Sequence, residues 1–309
     1  MLTLARIQAA AARIAPYIRI TPVLTSQILD DRAQARIYFK AENQQAVGAF
    51  KARGAINAVF SLSPAVAAGG VVTHSSGNHA AAVAYAARLR GIAAHIVMPT
   101  TVSSIKRANV LAAGGIIVDC EPTLVSREQT AARVLATQGG TMIHPYNDLD
   151  VMAGQGTAAL ELLAAHPDLD IVLCPVGGGG LLSGTAVAVK TLHPHIRVVG
   201  TEPAAADDAA ESFRTKILVR PTTPPVTIAD GLRSALGELT FAEIIAHVDD
   251  IVTVDEPRIV AATRLLTQCF AQPIEPSSAV PLAALLHHAI PNSQGKRIGI
   301  ILTGGNVMA

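Results

Sequence analysis

The sequence predicts an α/β protein: a two-lobed, three-layer αβα architecture built on parallel sheets. Three observations carry that expectation. Short apolar runs alternate with helical patterns along most of the chain, which is the signature of βαβ units. Half of the residues are hydrophobic, only 15% are charged, Trp is absent and aromatics make up 3%. The core must therefore be Ala, Val, Ile and Leu, which suits helices packed on parallel strands. Finally, 309 residues are enough for two lobes of ordinary size.

Taken in order, Leu4 to Ile14 reads as an amphipathic first helix that Pro16 and Thr21-Pro22 bring to an end. Its lack of acids is shared with transit peptides, but no cleavage site follows. Arg36 to Lys40 reads as a strand and Lys51 to Ser61 as a helix. Gly70 to Thr73 is a buried strand. Asn78 to Arg90 is an Ala-rich helix stopped by Gly91. Ala93 to Met98 is the next strand, followed by a helix over Ser103 to Ala113, a strand over Ile116 to Asp119 and a helix over Leu124 to Thr137.

The pattern then repeats. A helix covers Val151 to Ala165. The strand Ile171 to Pro175 runs into Gly177-Gly178-Gly179-Gly180, and a helix continues to Leu192. Arg197 to Thr201 is a strand. Val219 to Val226, with Pro221, Pro224 and Pro225, reads as an ordered loop. Ile251 to Val254 and Arg297 to Leu302 are the last strands. An active site between the two lobes, at the carboxyl ends of strands, fits this order best.

Composition excludes several classes. Net charge is +1, with basic residues spread along the chain, which argues against a nucleic-acid surface. Stacking aromatics are too few for single-strand binding. No apolar run is long enough to span a bilayer. The three cysteines, Cys120, Cys174 and Cys269, form no CxxC pair; they read as reduced thiols in a cytoplasmic protein. No HExxH or zinc-ribbon pattern occurs.

Four segments carry chemistry. Lys51 opens a helix behind the small-residue turn Gly48-Ala49-Phe50. A helix N-terminus disfavours positive charge, so an amine there is easier to deprotonate and more nucleophilic. The run Gly177 to Gly180 follows a strand and opens a helix. That arrangement lets the backbone close on a phosphate and aims N–H groups and a dipole end at it. The run is not GxGxxG, which sets it apart from a dinucleotide fold. Ser75-Ser76-Gly77-Asn78-His79 also opens a helix. It offers backbone N–H groups for a carboxylate, Asn78 as a donor to a phenolic oxygen, and Ser76 for proton exchange; Ser and Asn there serve equally as helix caps. Thr303, before Gly304-Gly305-Asn306, ends a strand and can turn its hydroxyl to a ring nitrogen, or simply pack. Together the four segments suit an aromatic, phosphorylated cofactor.

In combination, Gly48-Ala49-Phe50-Lys51-Ala52-Arg53-Gly54-Ala55, Ser75-Ser76-Gly77-Asn78-His79 and Gly177 to Gly180 resemble the fold-type II pyridoxal-phosphate enzymes, the tryptophan-synthase-β-like group. Within that group the chain is most similar to the serine racemase, threonine/serine dehydratase and hydroxyaspartate dehydratase branch. The likeness runs from Thr21-Pro22 to Asn306. It implies a large cofactor-binding domain of residues 1–70 and 149–309 and a small domain of residues 71–148.

The resemblance also implies roles. Lys51 would hold pyridoxal 5'-phosphate covalently, Phe50 would pack beside its ring, Asn78 would meet the ring oxygen, Gly177, Gly178, Gly179 and Gly180 would bind the phosphate, and Thr303 would face the pyridine nitrogen. A neutral hydroxyl there leaves the nitrogen largely unprotonated. Ser75, Ser76, Gly77, Asn78 and His79 would receive the substrate carboxylate. Glu202, the Ala206 carbonyl and Asp208 would ligate Mg²⁺ or Ca²⁺, although a solvated acidic helix start explains the same residues. Arg127 and Ser234 would flank the substrate side chain, and an arginine there suggests a second carboxylate; a surface arginine is the plainer alternative. A homodimer is implied as well.

The sequence departs from that branch at several positions. Ala80 and Ala81 follow His79 where animal serine racemases carry Gly-Gln. Cys269 and Ala271 replace basic residues of their nucleotide site, so ATP activation is not expected. Tyr146 stands where other members have Asn. The regulatory C-terminal domain of biosynthetic threonine dehydratases is absent, so isoleucine feedback is not expected either. The reading is therefore β-elimination from serine, threonine or 3-hydroxyaspartate, with Lys51 taking the Cα proton and Ser76 on the opposite face allowing racemisation. The alternatives are serine racemase as the main activity, cysteine-synthase-like β-replacement, and a binder that keeps the pocket without turnover.

Overall fold

The structure is a computed structural model that describes residues 1–75 and 77–307. In chain order its elements are α1 (Leu4–Ile14), β1 (Val23–Leu24), α2 (Gln27–Ala33), β2 (Arg36–Ala41), α3 (Lys51–Ser61), α4 (Pro64–Ala67), β3 (Val71–His74), α5 (Asn78–Arg90), β4 (Ala94–Pro99), α6 (Ser104–Ala112), β5 (Ile116–Cys120), α7 (Leu124–Gln138), β6 (Thr141–Met142), α8 (Leu149–Ala165), β7 (Ile171–Pro175) and α9 (Gly180–Leu192). Then come β8 (Arg197–Pro203), α10 (Asp208–Thr215), α11 (Glu238–His247), β9 (Asp250–Val254), α12 (Glu256–Phe270), α13 (Pro276–Leu286) and β10 (Arg297–Leu302).

The strands form two sheets. One has six strands in the order β1-β2-β10-β7-β8-β9, the other four in the order β5-β4-β3-β6. All neighbours run parallel except β1 with β2. The α/β class with parallel sheets, expected from the alternation of apolar runs and helices, is the one observed. Val219 to Val226 lies in neither helix nor strand.

Each sheet is covered on both faces. Successive residues of β7 point to opposite sides. Val172 and Cys174 join a core with Leu162 of α8, Val187 of α9 and Ile244 of α11, while Ile171 and Leu173 join another with Leu29 of α2, Leu266 of α12 and Leu282 of α13. Thr3 caps α1, its side chain accepting from Arg6 N at 3.3 Å, and Ile7, Ala10 and Ile14 turn inward.

Helix α3 bridges the two sheets. Its Ala52, Ala55, Ile56 and Val59 share a core with Val71 of β3, Val83 of α5 and Ile96 of β4. Its opposite side meets α8 backbone to backbone, and α8 meets α9 in the same way. A Cβ on Gly54 would lie 2.7 Å from Val151 O, one on Gly154 2.6 Å from Arg53 O, and one on Gly156 2.7 Å from Gly184 O. Ala in place of any of these glycines would push the helices apart.

Beneath the start of α3 lies a buried ion network. Arg53 is fully buried and meets Glu42, also fully buried, through Nε–Oε2 at 2.7 Å and Nη2–Oε1 at 2.8 Å. Its Nη1 reaches Glu161 Oε1 at 2.7 Å, and Lys40 pairs with Glu161 as well. Burial alone would push the Glu42 carboxyl up. The Arg53 guanidinium and the Thr21 hydroxyl instead hold it below the usual carboxylate range. A buried pair of this kind is costly to break from one side, on the order of 3–5 kcal/mol, so the network fixes the first turn of α3.

Candidate active site

Lys51 is the first residue of α3. The strand-like Ala49 pairs with Gly304, and Phe50 N donates to Thr303 O at 3.0 Å. These bonds tie the helix start to the carboxyl end of β10. Lys51 Nζ donates to Pro145 O at 2.8 Å and stands 5.1 Å from the Phe50 ring centroid. Burial lowers the pKa of the amine to about 8. The sequence attributes a lowered value to the helix dipole; the structure attributes it to desolvation.

The glycine run links β7 to α9. Gly179 takes φ +86, a left-handed conformation that favours glycine. A Cβ on Gly178 would collide with the Tyr146 ring, and one on Gly180 would lie 3.1 Å from Tyr146 Cβ. The Tyr146 ring therefore rests on the glycine loop, in the turn whose Pro145 meets Lys51. A Cβ on Gly177 would lie 2.9 Å from Leu232 Cα, so the loop backs onto the segment that carries Ser234. Ser234 is itself exposed.

The segment after β3 approaches from the smaller sheet. Ser75 Oγ accepts from Gly77 N at 3.4 Å, and Gly77 precedes α5. Ser76 lies outside the described residues. The Asn78 amide does not stand free: its Nδ2 donates to Glu275 Oε1 at 2.9 Å and to Oε2 at 3.1 Å, and its Oδ1 accepts from Asn306 Nδ2 at 2.9 Å. The His79 side chain is buried, with Nε2 at 3.2 Å from Ile143 O, so only its backbone can face a ligand. Thr303 Oγ1 lies 2.9 Å from Ser278 Oγ, and Ser278 Oγ also receives Gly304 N at 2.9 Å.

Glu275 and Ser278 have no counterpart in the sequence reading. Glu275 sits where Asn78, Gly304 and Asn306 converge, and Asn306 N donates to it at 2.9 Å. Burial raises its pKa, against the hydrogen bonds from Asn78 and Asn306. Its only sequence signal is a carboxylate before the proline that opens α13, which reads as a helix start.

Arg127, on α7, has a buried Nε without a hydrogen-bond partner among the described residues. Its charge bears on His74, Cys120 and Tyr146. Arg127 therefore lies within electrostatic reach of His74 and Tyr146.

Farther off, Glu202 is the next-to-last residue of β8 and Asp208 opens α10. Both are buried, at 0% and 3% exposure, beside buried Ala206. Glu202 accepts from Ala209 N at 3.2 Å and Ala210 N at 2.9 Å. Neither Asp208 oxygen makes a well-formed hydrogen bond among the described residues. Burial, then the Asp208 charge, pushes the Glu202 carboxyl well up; burial brings Asp208 to about 6. No group of three or more His, Cys, Asp or Glu side chains suited to a metal occurs among the described residues.

Comparison with known proteins identifies the arrangement. The chain is 49% identical over 300 residues to a beta-hydroxyaspartate dehydratase of Paracoccus denitrificans, covering 97% of this chain and 94% of that one. It is 47% identical to a serine racemase of Arabidopsis thaliana, covering 97% and 92%. The solved structure of maize serine racemase superposes with a TM-score of 0.97 at 43% identity, covering 99% of this chain and 94% of that one. Residues 14–304 match the family described as pyridoxal-phosphate dependent enzyme, and the chain belongs to that family.

Proposed function

We propose that the protein is an ammonia-lyase that eliminates the hydroxyl of a β-hydroxy amino acid, giving a 2-oxo acid and ammonia, with 3-hydroxyaspartate as its substrate. The likeness to a beta-hydroxyaspartate dehydratase supports the reaction class. The observation that carries the substrate is Arg127, whose buried and unpartnered Nε, within electrostatic reach of His74 and Tyr146, suits a second carboxylate. Ser234 would stand across from it.

The residues present fit pyridoxal phosphate: a buried amine at Lys51, and a strand-to-helix glycine loop, too tightly packed for any side chain, of the kind that cradles a phosphate. Bound there, pyridoxal phosphate supplies an electron sink for the charge that develops at the substrate Cα. The chain does the rest. Gly177, Gly178, Gly179 and Gly180 hold the phosphate, Phe50 packs beside the ring and Asn78, steadied by Glu275, faces its oxygen. Thr303, paired with Ser278, offers a neutral hydroxyl to the ring nitrogen. The backbone at Ser75, Gly77, Asn78 and His79 receives the α-carboxylate. Lys51 holds the cofactor, then takes the Cα proton; its pKa of about 8 suits a base at neutral pH.

Glu202, Asp208 and the Ala206 carbonyl would hold Mg²⁺ or Ca²⁺. Two buried carboxylates with raised pKa values, one of them unpartnered, need a cation to stay charged. The cation would brace the large lobe. We also retain a homodimer, which rests on the family resemblance of the sequence, and the cytoplasm, which rests on the free cysteines.

A second reading, serine racemisation, has support from the serine racemase relative; it needs Ser76 as proton donor opposite Lys51. Incubation with L-serine, D-serine, L-threonine and the hydroxyaspartate stereoisomers, with Mg²⁺ or EDTA, separates the readings. Fast 2-oxo acid from hydroxyaspartate is expected, with Arg127→Met lowering kcat/KM for that substrate about ten- to a hundredfold and sparing serine. An equal loss on both substrates would reduce Arg127 to structure. Interconversion of serine enantiomers, lost in Ser76→Ala, would favour the racemase.

A further inference from the structure

We propose that His144 is a positioning residue, whose Nδ1 lone pair shapes the turn that presents a carbonyl to the Lys51 amine and seats Tyr146 on the glycine loop. The inference rests on the reading of Lys51 as the cofactor-holding lysine.

The turn follows β6 and precedes α8. His144 Nδ1 accepts the backbone N–H of Asn147 at 2.9 Å and that of Tyr146 at 3.3 Å. An acceptor at Nδ1 fixes the neutral tautomer with its proton on Nε2. Pro145 O shares a trans peptide with the Tyr146 N–H, so turning that N–H to the ring points the carbonyl away from it, and the carbonyl meets Lys51 Nζ at 2.8 Å. The ring also stands edge-on to Tyr146, with centroids 4.7 Å apart, and to His74, at 5.7 Å. The Tyr146 ring is also the one that lies over Gly178.

The far end of the turn is anchored too. Asn147 Oδ1 accepts from Leu239 N at 2.9 Å, in the first turn of α11, and Asp148 caps α8 through Asp150 N at 2.7 Å. One imidazole nitrogen thus joins three parts of the site: the amine, the glycine loop and the large-lobe helices. Nothing but a hydrogen-bond acceptor at the δ position is required of it. Burial, then the charges of His74 and Lys51, lowers the His144 pKa to about 4, so the lone pair stays available at neutral pH.

The acceptor position gives the test. Asn carries an amide oxygen at the same bond count from Cβ as Nδ1, Gln carries it one bond farther, and Ala carries none. We would purify the full-length chain as wild type, His144→Asn, His144→Gln, His144→Ala and Lys51→Ala. The readouts are retention of pyridoxal phosphate after gel filtration and the rate at which the visible band of lysine-linked cofactor appears. Neither readout uses a substrate. Loss of two ordinary hydrogen bonds predicts a fall of about tenfold in capture rate and affinity for Gln and Ala, with Asn near wild type. Melting temperature separates misfolding from mispositioning, and Asn and Gln carry the test if Ala does not fold. Asn as impaired as Gln, or all three capturing at the wild-type rate, would overturn the role of Nδ1. A visible band that persists in Lys51→Ala would instead overturn the reading of Lys51 and leave the turn geometry untouched.

Discussion

Lys51 gathers most of the chemistry at the scale of single residues, and burial sets its behaviour. Its amine titrates near pH 8 because the charged form is desolvated. Only the neutral amine attacks the aldehyde of the cofactor. Covalent capture of pyridoxal phosphate by the full chain should therefore rise with pH through about 8 and level off above it. Stopped-flow absorbance checks this; an inflection near pH 10, the range of a solvated lysine, would show that burial does not act on the amine. Asn78 is read from sequence as a free donor, yet its amide is held by Glu275 and Asn306. Glu275 escaped the sequence because its partners lie 197 and 31 residues away. Nothing local marks such a carboxylate as more than a helix start.

Among elements, the β8–α10 junction makes the sharpest prediction. Glu202 and Asp208 have carboxyl groups raised by burial, Asp208 to about 6. A carboxyl raised in the folded state binds more protons there than when unfolded. Its contribution to stability is present at low pH and is lost as pH rises through about 6. Without a divalent cation, the junction should weaken the fold from pH 5 to pH 8. Mg²⁺ or Ca²⁺ should raise the melting temperature at pH 8 more than at pH 5, and Asp208→Asn should abolish the difference. A pH-independent response, or an unchanged one in Asp208→Asn, counts against the cation.

Elements with strong periodicity or a clear strand-to-glycine transition were legible in the sequence. Lys51–Ser61, Asn78–Arg90, Ile171–Pro175 and Arg297–Leu302 run between the same residues in both readings. The helices α11 to α13 were not anticipated, and α10 was read only as an acidic helix start. Helix α13 carries Pro281, a residue that reads as a breaker, and the others begin at no strand-to-glycine transition that would mark their start. The two-residue strands β1 and β6 are too short to carry a period. For the site, the sequence singled out segments that end strands and open helices. It could not supply the turn at His144, whose bonds are between one ring and its neighbours' amides.

Across the whole molecule, one ion pair among the described residues joins the elements of the two sheets. Lys106 Nζ of α6 meets Asp230 Oδ2 at 2.6 Å, with both side chains partly exposed. Such a pair contributes about 0–1 kcal/mol, so Lys106→Ala should barely move the melting temperature. It should speed amide exchange in α6 and around residues 227–236, read by mass spectrometry, because the lobes lose a latch. Unchanged exchange would mean that apolar packing and the hydrogen bonds of Asn78 to Glu275 and Asn306 hold them together without it.

The glycine seam gives this opening a direction. Where α3, α8 and α9 touch through backbone, no layer of side chains is left to slide or shear. Lys51 at the head of α3 and the glycine loop at the head of α9 are thus mounted on one frame. Arg127 belongs to α7, whose Ala131 and Val134 pack on β3 and β4 of the other sheet. On the proposed function, a shift of one sheet against the other would leave the distance from Lys51 to the glycine loop constant and would change the distance from either to Arg127. The cofactor is a tenant of the frame, and the amino acid is a visitor at its door.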